Sequence, residues 1–211
     1  PATCFRGMGD DVTKTYPPYV IMTHDTLKRE ILCDTKTLGG GWIIIQRRVT
    51  GDMDFYRDWT DYKNGFGAAT GDFWLGNDDI HNLTDKHPYE LRIDFRAKGQ
   101  ELFAQYTSFR IEAESDNYRL RLGSYVGTIG EKSGKGLSYH NNHQFSTFDR
   151  DNDDNPGRRC AIEFHGAWWY RSCLESNLNG KWGVTGWTGL SWGTGSGLTD
   201  CTFTEMKIRR I

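Results

Sequence analysis

Four aspartates, Asp149, Asp151, Asp153 and Asp154, fall within six residues of the stretch "DRDNDDNPGRRC". Like charges at that density repel one another, so the cluster needs a physical account. Three chemistries compete. A solvated acidic loop is the plainest. A glycosidase pair is the second, but it needs two carboxyls about 5–9.5 Å apart across a cleft. Neighbours on one loop rarely reach that spacing, and no second acid stands out elsewhere. The third is calcium, a hard cation that takes about six to eight oxygens at about 2.3–2.6 Å. In an extended segment Asp151 and Asp153 project from the same side, and later main-chain carbonyls can curl back to complete the shell. An EF-hand loop does not fit: counted from Asp149, position six is Asp154 rather than Gly, and position twelve is Cys160 rather than Glu. Charge alone favours calcium and leaves the solvated loop open.

Other candidate chemistry is thinner. His140 and His143 in "YHNNHQF" suggest a metal pair, yet loop histidines flanked by asparagine are more often turn formers. "GEKSGKG" fails as a phosphate loop, because Ile129 stands at the required first glycine and Gly136 at the required Ser or Thr. Trp168 and Trp169 read as core and pocket-floor packing. No Ser/His/Asp or Cys/His arrangement follows from spacing, so the reading is non-enzymatic.

Five cysteines occur without a CxxC pair, which argues against a metal set. Pairing neighbours gives Cys4 with Cys33 and Cys160 with Cys173, although sequence leaves the connectivity open. Cys201 is left over, as a buried free thiol or an interchain bridge. Two local bridges fit a secreted, extracellular protein, and Asn82-Leu83-Thr84 makes Asn82 a glycosylation candidate there.

These groups need a scaffold, and 211 residues suffice for one large domain or two small ones. A formal net charge of −2 gives no basic footprint for nucleic acid, and no apolar run is long enough to span a bilayer. The lack of an initiator methionine and an apolar leader suggests a mature or excised segment. Residues 1–49 read as a disulfide-tied unit ending in the strand-like "WIIIQRRV". In "YELRIDFR", Tyr89, Leu91, Ile93 and Phe95 alternate with charged residues, the pattern of a half-buried strand. "YRLRLG" repeats it with Tyr118, Leu120 and Leu122. "FYRDWTDYKNGFG" reads as a short helix ended by Gly65, and "GNDDIHNLTD" as a second, capped by Asn77 or Asp78. From about residue 123 the chain is irregular and rich in Gly, Asn and Asp. A long loop-dominated segment in an otherwise compact chain is usually functional or disordered, and its tryptophans favour order.

Taken in order, "GGGWIIIQRRVTGDMDFYRDWTDYKNGFG", "GDFWLGNDDIHNLT", "FSTFDRDND", "GAWWYRSC", "SNLNG" and "TEMKIRR" resemble the fibrinogen-related domain, the C-terminal module of ficolins, tachylectins and mollusc fibrinogen-related lectins. The resemblance runs from Cys4 to the end. It implies a single secreted α+β module over 1–211 in three parts: an N-terminal subdomain (1–49), a central antiparallel sheet with short helices (50–122, joined by strand 201–209), and a loop-rich binding subdomain (123–200). It also implies Ca2+ held by the Asp151 and Asp153 side chains and the carbonyls of Asn155 and Gly157. Asp149 would stand behind them, with Arg150 as a surface counter-charge. "GRRC" is one residue longer than the family's usual Gly-Asn-Cys.

In relatives that bind acetylated sugars, a cis peptide beside this loop turns backbone N–H groups toward the acetyl oxygen; here it would be Ser172–Cys173. Leu174 stands where the family commonly has His, Phe164 keeps an aromatic ring without a tyrosine hydroxyl, and Trp187 is the nearest candidate for a further wall. Another aromatic position falls in "GTGSGL" (193–198), which has no ring. The resemblance therefore implies a calcium-binding, lectin-like recognition domain of the innate-immune type for glycans or acetylated groups, oligomerising through an upstream region. The alternative is a protein-binding module of the kind found in receptor ligands or matrix proteins.

Overall fold

The computed structural model describes residues 3–4, 17–131, 135–193, 198 and 201–211. The strands are β1 (Tyr19–Thr23), β2 (Glu30–Asp34), β3 (Trp42–Arg48), β4 (Phe66–Gly67), β5 (Phe73–Trp74), β6 (Tyr89–Ala97), β7 (Gln100–Tyr106), β8 (Phe109–Ile111), β9 (Leu120–Leu122), β10 (Tyr125–Gly127), β11 (Ser176–Asn177), β12 (Ser191–Trp192) and β13 (Cys201–Arg210). The helices are α1 (Trp59–Asn64), α2 (Asn77–Lys86) and α3 (Cys160–Glu163). One antiparallel sheet runs β1-β2-β3-β13-β6-β7-β10, with β5 also on β3 and β4 on β5. The C-terminal strand thus sits at its centre, between β3 and β6. This is the expected α+β fold.

The period-2 pattern of β6 does what its side chains dictate: Tyr89, Leu91, Ile93 and Phe95 are buried, and face the core with Met206 and Ile208 of β13. The opposite face carries Arg92, Asp94, Glu205 and Lys207. "YRLRLG" is strand only from Leu120. Tyr118 is a buried turn residue at φ +50° that donates its hydroxyl to Asp78 Oδ1 at 2.5 Å and stacks on Trp59.

Helix α1 is capped by Asp58, whose side chain accepts from Asp61 N–H, and ends at Gly65. Gly65 has φ +86°, and a Cβ there would lie 2.2 Å from the Leu75 carbonyl oxygen. The cap expected for α2 is not the one found. Gly76 holds the N-cap position at φ +115°, where a Cβ would press on Asn64 main chain, and Asn77 is instead buried and accepts from Trp74 Nε1.

Disulfides join Cys4 to Cys33 and Cys160 to Cys173. Cys201 carries a free, half-buried thiol at the start of β13, and burial pushes its pKa up. Trp168 and Trp169 lie in the core. No helix among the described residues is long and apolar enough to cross a membrane. Most of "GTGSGL" (residues 194–197) lies outside the described residues.

Candidate functional site

The irregular region is pinned by local hydrogen bonds rather than by long strands. Ser146 exchanges main-chain bonds with Trp168, which anchors the entry to the acidic loop on the core. Asn152 donates from its backbone to Ser146 Oγ (3.0 Å) and from its amide to the Phe145 carbonyl (2.8 Å). Between those anchors the carboxylates take different jobs. Asp153 accepts from Asn155 N–H at 2.8 Å and Cys160 N–H at 2.9 Å, so it links the loop to the start of α3. Burial, and then the neighbouring Asp151, push its pKa up to about 6 despite those two donors. Asp154 points away: its N–H donates to the Arg171 carbonyl, and its Oδ2 lies 2.9 Å from His143 Nδ1. Burial lowers the His143 pKa even with Asp154 beside it.

Asp149 accepts from Trp59 N–H (3.0 Å) and Thr147 Oγ1 (2.7 Å), which ties the loop to the first turn of α1 beside the Asp58 cap. Arg150 is no counter-charge to the loop acids, since it lies over the Trp59 ring at 4.0 Å and reaches Asn117 and Glu114. The longer "GRRC" exit is absorbed by a turn in which Arg158 N–H donates to the Asn155 carbonyl (3.2 Å). Arg159 reaches back to the Phe148 carbonyl and leaves its Nε 3.9 Å from Asp151.

Among the described residues no three His, Cys, Asp or Glu side chains gather as metal ligands. The donor set left for an ion is therefore two carboxylates plus main-chain oxygens. That all-oxygen set fits calcium chemistry.

The second wall of the site is the segment from Trp169 to Asn177. The Ser172–Cys173 peptide is cis, and the disulfide holds it against α3. No acceptor for the Cys173 or Leu174 N–H appears among the described residues. Phe164 and Leu174 both pack on the core while partly open to solvent. Phe164 and Trp187 are brought together through their main chains: the buried Asn177 amide donates to both carbonyls, at 3.1 and 3.3 Å, and its oxygen accepts from Tyr170 Oη.

His140 organises this wall. It is buried, and its Nδ1 lies 2.7 Å from the Trp169 carbonyl, while Nε2 accepts from the N–H groups of Glu175 and Ser176. That pattern requires the neutral ring, and burial pushes its pKa down to about 3. The sequence reading made His140 a turn former; it is a strut holding both flanks of the Ser172–Leu174 loop. Asn177 was missed altogether.

This loop-plus-hairpin arrangement on a sheet with a central C-terminal strand can be set beside known proteins. The family described as fibrinogen beta and gamma chains, C-terminal globular domain, matches residues 6–211. The chain belongs to that family. This fibrinogen C-terminal domain is 43% identical to human tenascin-R over 203 residues, which is 95% of the chain and 14% of tenascin-R. Mouse tenascin-R is 45% identical over 184 residues, 86% of the chain and 13% of that protein. The domain thus spans about one-seventh of these curated relatives. Among solved structures, the fibrinogen-like globe domain of human ANGPTL2 superposes with a TM-score of 0.84 at 36% identity, covering 95% of each chain. Lamprey fibrin D-dimer complexed with the peptide Gly-His-Arg-Pro-amide gives 0.78 at 30%, covering 92% of this domain and 69% of that chain. The motifs were read toward ficolins, tachylectins and mollusc lectins. The family stands, but these relatives lend the lectin subtype no support.

Proposed function

We propose that this domain is a non-catalytic, extracellular protein-binding module whose peptide-recognition surface lies between the acidic loop and Trp187. The observation that carries the reading is the pair of N–H donors at Cys173 and Leu174 beside the apolar Phe164 and Leu174 side chains. Paired backbone donors receive a peptide carbonyl or carboxylate oxygen without a charged side chain. Apolar walls take a neighbouring side chain but offer few partners to sugar hydroxyls. A site without such partners discriminates weakly among hydroxyl-bearing ligands. A relative in complex with a short peptide supports the same choice. Glycan or acetyl-group binding, the first reading of the motifs, lacks comparable support.

Calcium would be held by Asp151 and Asp153 with the carbonyl oxygens of Asn155 and Gly157, and would supply the positive charge that those carboxylates lack. Asp153 reaches Cys160 N–H and Asp154 reaches the Arg171 carbonyl, so an ordered loop also orders the hairpin that carries the donors. The two disulfides favour an oxidising compartment, and Asn82 is exposed on α2 for glycan attachment. Several domains joined through an upstream region would add avidity.

The test is a peptide-display selection in calcium, followed by amide chemical-shift mapping with the enriched peptide. Shifts should centre on Cys173 and Leu174, and Leu174→Arg should abolish binding. Micromolar binding of N-acetylglucosamine that is lost on changing Phe164 would restore the lectin reading. Such a sugar should bind at best in the millimolar range, about −4 kcal/mol.

A further inference from the structure

We propose that a second cavity, lined by Phe55, Tyr56, His165 and Trp182, receives the cationic side chain of a lysine or arginine from a partner protein. The cavity has a volume of about 370 Å³, within the range of preformed ligand sites. It lies between the turn after β3 and the segment Gly180–Trp182, and Phe55, Tyr56, His165 and Trp182 supply four rings to its lining.

Its walls are fixed by the fold. The Asp72 carboxylate accepts from the N–H groups of Val49 (2.6 Å), Thr50 (2.9 Å) and Gly51 (2.9 Å), which locks the turn. Trp182 rests on Gly51 so closely that a Cβ there would fall 2.0 Å from the indole Cδ1. Arg48, 1% exposed, stacks 3.9 Å from Phe55 and 5.8 Å from Trp182, and donates to the Leu178 and Gly180 carbonyls. A guanidinium on these ring faces is therefore already part of the structure. Tyr56 and His165, with ring centres 5.1 Å apart, continue the aromatic surface outward.

The sign of the ligand follows from the lining charges. Arg48 is turned inward onto its two carbonyls, with Asp72 3.8 Å away. Asp52 and Asp54 are exposed, and neither makes an ion pair among the described residues. Lys181, also exposed, and Arg48 are the opposing charges that line the same cavity. With Arg48 set against Asp72, two carboxylates remain against one ammonium beside aromatic rings, which suits a cation; an anion would meet both aspartates.

The experiment follows the Trp182 indole N–H by NMR while blocked tripeptides Gly-Arg-Gly, Gly-Lys-Gly, Gly-Glu-Gly and Gly-Leu-Gly are titrated into the whole domain. The Arg and Lys peptides should move that signal, less so at high salt, and the Glu and Leu peptides should not. Asp52→Asn with Asp54→Asn, both exposed changes that keep the side-chain acceptor, should weaken the shift about fivefold, and Lys181→Ala should strengthen it. No response to either cationic peptide, an equal response to the Glu peptide, or weakening by Lys181→Ala overturns the proposal. None of these outcomes involves the Cys173 surface, so that reading stands or falls separately.

Discussion

On the sheet, Lys207 Nζ lies 2.6 Å from Asp34, 2.6 Å from Asp94 and 3.0 Å from Glu205, and the lysine side chain is 2% exposed. In the loop, no lysine among the described residues pairs with Asp151 or Asp153, and Arg159 Nε stands 3.9 Å from Asp151. Both regions crowd carboxylates, and the consequences diverge. On the sheet, burial alone would raise the Asp34 pKa, but Lys207 together with hydrogen bonds from Thr37 outweighs it and the value falls. Glu205, more deeply enclosed, stays raised by burial, although the three acids together hold the Lys207 pKa above its ordinary value. In the loop, burial and a like charge act together, and Asp153 rises to about 6. A carboxylate cluster whose cation comes from its own chain is a structural joint. The loop acids, with only Arg159 near Asp151 among the described residues, are where an ion from outside is proposed to bind.

The sharpest way to break that contrast is to remove the internal cation. Lys207→Met leaves Asp34, Asp94 and Glu205 facing one another, with Arg92 on Asp94 and Arg47 on Glu205 as their remaining cations. Deleting one partner of a buried charge network typically costs about 3–5 kcal/mol, and a fall of that size in unfolding free energy is expected in denaturant titration. A loss below about 1 kcal/mol would mean that the cluster is far better hydrated than its burial indicates.

The loop side is held by uncharged hydrogen bonds, and His140 tests this. His140→Ala strands the Trp169 carbonyl and the Glu175 and Ser176 N–H groups in the interior, at a cost of about 3 kcal/mol. The pH dependence has a definite sign. The folded value, about 3, lies below the ordinary 6.5, so the unfolded chain takes the proton more readily. The contribution is complete above about pH 6.5 and is lost as pH falls toward about 3. Melting curves across that window should be steeper for the wild type than for the alanine variant. Equal slopes would show that His140 is not the titrating strut.

What the sequence showed and what it concealed divide along a physical line. The neighbouring cysteine pairs and the period-2 face of β6 were readable, because each depends on local spacing. The family was readable from several motifs in order. His140 was not, because its partners lie 29 to 36 residues away and an imidazole in a loop looks the same before those groups arrive. Asn177 was hidden for the same reason. The α2 cap was misread because Gly76 is selected there by the approach of Asn64, a tertiary constraint invisible to a capping rule.

Calcium sharpens the contrast from the other side. If the loop lacks an internal cation, calcium should stabilise the domain by about 2.7 kcal/mol at a hundredfold excess over its dissociation constant. Asp151→Asn should remove most of that gain while leaving the calcium-free protein close to wild type, since Asp153 keeps both of its N–H partners. The equivalent change on the sheet, Glu205→Gln, should respond to calcium like the wild type. A calcium-independent Tm in the wild type would reduce the loop to solvated acid.

Asp149 provides the smallest effect and the finest discrimination, because composition places it in the cluster while geometry assigns it elsewhere. Its carboxylate satisfies the Trp59 N–H at the first turn of α1 and the Thr147 hydroxyl, a contact made across 90 residues of chain. Loss of such a cap costs about 1 kcal/mol. Asp149→Ala should therefore lower stability by that amount equally with and without calcium, and should leave calcium affinity within about twofold of wild type, since the lost charge acts only through screened distance. Asp149→Asn, which keeps the acceptor and drops the charge, should recover most of the stability. If Asp149→Ala instead weakens calcium binding as strongly as Asp151→Asn does, three carboxylates share the ion.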